Sequence, residues 1–192
     1  MQELKDRIVR EGRVLPGNII KVDGFLNHRI DMGLMDHIAE EFGKHFNMDE
    51  VTMILTAEAS GIALSAIVAD HFHKPMIFAK KAKSDNIEGG LYQSDIYSYT
   101  YKKKVTLLVA KDWLSSDDRV LIIDDFMANG EAMRGLCDIV KAAGATLVGI
   151  GCAVEKGFQG GGDRLREAGV NLKSLAIIES AEPGHIVFRD DD

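Results

Sequence analysis

Apolar positions along this chain change their period several times, and each change marks an element. Leu34, Met35, Ile38, Phe42 and Phe46 recur at the spacing of one helix face. VTMILTA, Val51 to Ala57, is an unbroken run rich in β-branched residues and predicts a buried strand. SGIALSAIVADHF predicts the next helix, with Ser60 placed to cap it. PMIFAKK, from Pro75, predicts a second strand, and KVTLLVA, Lys104 to Ala110, a third. RVLIIDD, Arg119 to Asp125, is the strongest strand signal; its helix runs from about Gly130 to Ala143 and stops at Gly144. ATLVGIGCAVEK, ending at Lys156, a short helix after Gly160 to Gly162, and the strand NLKSLAIIES complete the pattern. Strands alternating with helices predict an α/β fold: a mainly parallel sheet flanked by helices.

Two stretches break the alternation. Ala82 to Tyr101 is polar, contains glycine and is long for a loop in a compact domain, so it is expected to be a flexible lid. The N-terminal segment, to about residue 30, and the tail PGHIVFRDDD are expected to pair as a small hood or flap above one end of the sheet. Residues 1–192 are expected to form one domain.

Composition narrows the function. The net charge is -7, with no clustered basic stripe, which argues against nucleic acid as a partner. No window has the long apolar run of a membrane span, and the charged N-terminus lacks the apolar core of a signal peptide. Cys137 and Cys152 sit in apolar stretches and suit neither a disulfide framework nor a zinc site. These features predict a cytoplasmic protein.

The segment that carries chemistry is VLIIDDFMANGEA, Val120 to Ala132: a buried strand, two acids, a loop of small residues, then a helix. Ligands of parallel sheets bind at the carboxyl ends of strands. A helix N-terminus there offers free N–H groups and a positive dipole end to a phosphate. Ala128 and Gly130 allow close approach to the backbone, while Asp124 and Asp125 suit the vicinal hydroxyls of a sugar. The same residues also fit a plain strand-turn-helix with solvated or capping acids, or a Mg²⁺ site. A Walker B reading lacks its required G-x-x-x-x-G-K-[ST] loop.

This segment resembles the phosphoribosyl-pyrophosphate (PRPP) loop of the type I phosphoribosyltransferases: a hydrophobic strand, two acids, two variable residues, then usually Ala-Thr-Gly-Gly-Thr. Here Ala128-Asn129-Gly130-Glu131-Ala132 stands in that place, without the usual threonines and with one glycine replaced by Glu131. This variant is similar to the form seen in the xanthine-specific branch of the family, and the resemblance extends over the whole chain, including its length. It implies the type I phosphoribosyltransferase fold. It also implies transfer of the 5-phosphoribosyl group from PRPP to N9 of xanthine, with Mg²⁺ bound mainly through PRPP and a homodimeric assembly. Alternatives are a guanine or hypoxanthine phosphoribosyltransferase, and a non-catalytic PRPP-sensing regulator.

The resemblance also assigns residues. Asp124 and Asp125 would orient the ribose hydroxyls, and Ala128, Asn129, Gly130, Glu131 and Ala132 would anchor the 5-phosphate. TAEASGI resembles the family's pyrophosphate loop, which implicates Glu58, Ala59 and Ser60, with Lys81 as the diphosphate-binding lysine. Lys156 would donate to the 6-oxo oxygen of the base and Phe158 would stack on it, with Ile20 and Asn27 as further base contacts. An ammonium only donates, so Lys156 disfavours the 6-amino group of adenine.

Overall fold

The computed structural model describes residues 1–81, 90–98 and 103–190. In chain order the elements are α1 (Gln2–Glu11), β1 (Arg13–Leu15), β2 (Ile19–Lys21), a π-helical turn (Asp23–Asn27), α2 (Met32–His45), β3 (Met53–Ala57), α3 (Gly61–His71) and β4 (Met76–Ala79). There follow β5 (Leu91–Ser98), β6 (Lys103–Ala110), β7 (Arg119–Met127), α4 (Glu131–Ala142), β8 (Thr146–Lys156), α5 (Gly161–Glu167), β9 (Leu172–Glu182) and β10 (His185–Phe188).

The main sheet has the order β10-β9-β8-β7-β3-β4, and all its pairings are parallel except that of the edge strand β10 with β9. Side chains of a strand alternate between faces. Ile54, Leu121 and Ile123 accordingly enter the core built with α1, α2 and α3, while Leu55, Val120 and Ile122 enter the core under α4. This double burial is why β3 and β7 read as continuous apolar runs. α2 starts two residues before its first periodic apolar position because Asp31 caps it, accepting from the Leu34 N–H at 3.2 Å. Gly144 ends the turn after α4 at φ +72°, a backbone conformation that favours glycine.

Four expectations are corrected. β6 does not join the parallel sheet: it pairs antiparallel with β5, and the bridge Lys80–Leu108 links this ribbon to the end of β4. Residues 91–98 of the expected lid are therefore a strand; residues 82–89 and 99–101, the rest of that expectation, lie outside the described residues. The N-terminal segment and the tail meet through side chains and not as paired strands: Lys5 Nζ donates to the Arg189 carbonyl at 3.4 Å and stands 5.8 Å from the Phe188 ring centroid. β1 and β2 form their own hairpin, and the tail strand β10 extends the main sheet, because its edge offers a full ladder of backbone partners. Ser60 occupies the N-cap position of α3 but does not cap it; its hydroxyl is engaged elsewhere.

Candidate active site

β7 continues through both acids to Met127. Asp124 and Asp125 are thus held in the sheet, next to β8, and both are buried. Neighbours in a strand face opposite ways, yet the two acids remain linked: Asp124 Oδ1 accepts the Asp125 backbone N–H at 3.0 Å. Burial, with the Asp125 charge adding to it, pushes the Asp124 carboxyl well above the usual carboxylate range. Gly61 makes room for it, since a Cβ there would lie 2.3 Å from both Asp124 Oδ1 and Thr56 Oγ1. The buried Thr56 hydroxyl has no hydrogen-bond partner among the described residues.

Asp125 is satisfied by two separate segments. Ser60 Oγ donates to Oδ1 at 2.8 Å, and Asn27 Nδ2 donates to Oδ2 at 2.9 Å. The first donor comes from the turn after β3, which contains the cis peptide Glu58–Ala59. The Glu58 carboxylate accepts the Lys81 backbone N–H at 2.5 Å, tying that turn to the end of β4. The second donor comes from the turn beyond the β1–β2 hairpin.

These groups face a cavity of about 340 Å³. Ile20, Asn27, Glu58, Ser60, Lys81, Asp124, Asp125 and the whole loop from Ala128 to Ala132 line it, as expected from sequence. Ala59, Lys156 and Phe158 do not line it. Lys156 Nζ donates to the Asn18 carbonyl at 3.0 Å and stands 5.5 Å from the Phe126 ring centroid. Burial lowers its pKa below the ordinary lysine value. Phe158 is partly buried against the core shared with α2 and α3.

Sequence reasoning missed Phe126, Ile96 and Tyr97, which also line the cavity. Phe126 occupies a position passed over as variable in the motif; an aromatic directly after two buried acids was the available signal. Ile96 and Tyr97 come from β5, in the stretch expected to be a loop. Burial raises the pKa of Glu131, but hydrogen bonds from Arg134 and the Tyr97 backbone N–H outweigh it and hold the carboxyl below its ordinary value. Glu131 thereby joins the first turn of α4 to the ribbon.

A buried acid pair at the end of a parallel strand, opening onto a small-residue loop and a helix N-terminus, is suited to a ligand with hydroxyls at one end and an anion at the other. Comparison with known proteins agrees. Residues 25–170 match the phosphoribosyl transferase domain, and the chain belongs to that family. A protein of Bifidobacterium animalis subsp. lactis named xanthine phosphoribosyltransferase is 53% identical over 192 residues, covering 98% of this chain and all of that protein. One of the same name from Lachnoclostridium phytofermentans is 52% identical, covering both chains completely. Among solved structures, adenine phosphoribosyltransferase from Giardia lamblia superposes with TM-score 0.75 at 20% identity, covering 90% of this chain and 96% of its own. The Saccharomyces cerevisiae enzyme gives 0.73 at 18%, covering 91% and 97%. At such identities these two establish the fold.

Proposed function

We propose that this protein transfers the 5-phosphoribosyl group from PRPP to N9 of xanthine, yielding xanthosine 5′-monophosphate and pyrophosphate. The observation that carries the reading is the buried Asp124–Asp125 pair opening directly onto the 128–132 loop within one cavity. Relatives about half identical over their whole length, named for xanthine, support the choice of base.

In this reading the bond from C1 of the ribose to the pyrophosphate oxygen breaks and the bond from C1 to N9 forms, while the N9 proton passes to water. Positive charge develops on the ribose ring, and Asp124 and Asp125 orient its hydroxyls and stabilise that charge. The loop from Ala128 to Ala132 anchors the 5-phosphate through backbone N–H groups at the start of α4, which positions the sugar. Glu58 and Ser60 meet the diphosphate, with Lys81 beside them, while Ala59 completes the turn that carries them. Ile20 and Asn27 face the base, joined by Phe126. Lys156 reaches the 6-oxo oxygen by exchanging its Asn18 acceptor for the purine, and Phe158 supports that edge.

A magnesium ion would be carried mainly by PRPP oxygens, with the hard carboxylates of Asp124 and Asp125 and water ordered by Glu58 nearby. Bound there, the ion stabilises charge on the leaving pyrophosphate. A homodimer and a cytoplasmic location complete the proposal; among the described residues no helix is long and apolar enough to cross a membrane.

Pyrophosphate release, measured with PRPP, Mg²⁺ and xanthine, guanine, hypoxanthine or adenine separately, tests this. Release with xanthine far above the others is expected. Release with another base overturns the base assignment, and no release with any base overturns the activity.

A further inference from the structure

Helix α5 rests on the back of the loop assigned to the phosphate. A Cβ built on Gly161 would lie 2.4 Å from the Ala128 carbonyl oxygen and 2.6 Å from both the Asn129 carbonyl carbon and the Gly130 nitrogen. Only a glycine lets the helix backbone lie this close to that peptide. Farther along the same helix, Arg164 Nη2 donates to the Asn129 carbonyl at 3.0 Å. The helix itself is pinned from below. Arg166 bonds both carboxylate oxygens of the fully buried Glu155, and Asp163 is held by Arg189 at 2.7 Å.

The Asn129–Gly130 peptide is trans. In a trans peptide the carbonyl and the following N–H point in opposite directions. A guanidinium that holds the Asn129 carbonyl on the α5 side therefore aims the Gly130 N–H the other way, toward the cavity that Gly130 lines. Gly130 has φ +76°, and glycine populates both signs of φ readily, so this peptide needs an external hold to keep one orientation.

We infer that Arg164 is a positioning residue for phosphoribosyl binding: from outside the cavity it fixes the Asn129–Gly130 peptide so that the Gly130 amide meets the 5-phosphate. The inference rests on the reading of the 128–132 loop as the phosphate anchor. It gives a role to a charged side chain that the proposed chemistry does not otherwise use, and it assigns no direct contact between that side chain and the ligand.

The test compares wild type with Arg164→Ala and Arg164→Lys, using steady-state kinetics and two inhibitors. Ribose 5-phosphate probes the loop, and pyrophosphate probes the Glu58–Ser60 turn. In Arg164→Ala, KM for PRPP and the inhibition constant of ribose 5-phosphate should rise roughly tenfold, the loss expected for one hydrogen bond from a charged donor. The turnover number, KM for the base and pyrophosphate inhibition should stay within about twofold. Arg164→Lys, which keeps a donor, should recover most of the loss. Equal weakening of both inhibitors indicates a diffuse charge effect and overturns the inference. Unchanged ribose 5-phosphate inhibition in Arg164→Ala overturns it alone. A wild-type enzyme indifferent to ribose 5-phosphate overturns the phosphate-loop reading, and this inference with it.

Discussion

Asn27 and Asp125 are 98 residues apart in sequence and 2.9 Å apart in space, the amide of one donating to the carboxylate of the other. The segment proposed to face the base is thereby wired to the strand proposed to hold the sugar. Asn27→Ala removes that donor from a buried carboxylate and is expected to lower kcat/KM about tenfold. Asn27→Asp replaces the donor by a like charge and is expected to cost more. Kinetics with both substrates varied measures the two losses; a milder effect for aspartate than for alanine would refute the electrostatic argument.

The raised pKa of Asp124 has a consequence for stability. A carboxyl whose folded-state pKa lies above its unfolded value stabilises the fold at low pH. That contribution is lost as pH rises from the ordinary carboxylate range through the raised value. Asp124→Asn imitates the protonated form at every pH. Its melting temperature relative to wild type should therefore rise as pH climbs above the ordinary carboxylate range, while turnover falls sharply. Calorimetry across that range, with an activity assay on the same samples, checks both halves.

Gly161→Ala puts a methyl group onto the Ala128–Gly130 backbone. The helix or the loop must shift, at a cost of about 1–3 kcal/mol. Because the loop lies at the surface of the cavity, the expected result is a raised KM for PRPP together with a modest drop in stability by urea titration. A variant with wild-type kinetics would show that the loop tolerates displacement.

Glu155 is fully buried against Arg166 and Ser174. Arg166→Ala strands that charge and is expected to destabilise the protein by about 3 kcal/mol, a value toward the low end for buried pairs because Arg166 is itself partly exposed. Glu155→Gln, which leaves no buried charge, should be milder. The order of the two urea midpoints decides the point.

Much of this was legible in the sequence, and the exceptions have physical reasons. β7, the acid pair and the loop after it stand out because a strand buried on both faces and a helix start leave unmistakable residue patterns. β5 does not: LYQSDIYS has one exposed face and a partner strand beside it, so its polar residues imitate a loop. The same one-sidedness hid Ile96 and Tyr97 from the site. Contacts such as Asn27 with Asp125 and Arg164 with Asn129 join elements distant in sequence, and no local pattern encodes them. Lys156 was placed at the right strand end, but its hold on the Asn18 carbonyl depends on where the hairpin folds back.

β7 extends past the acids it carries. Its pairing with β8 persists beyond the acids, through Phe126 with Val154 and Met127 with Glu155. The carboxylates cannot swing away without unzipping the centre of the sheet, so their conformational entropy is lost when the chain folds and not again when a ligand arrives. An arriving sugar phosphate meets one rigid end in the strand and a second, the small-residue loop, that is held from behind by α5. Affinity in such a site is expected to be tuned at the loop and its supports, while the acids set what the site can do once filled.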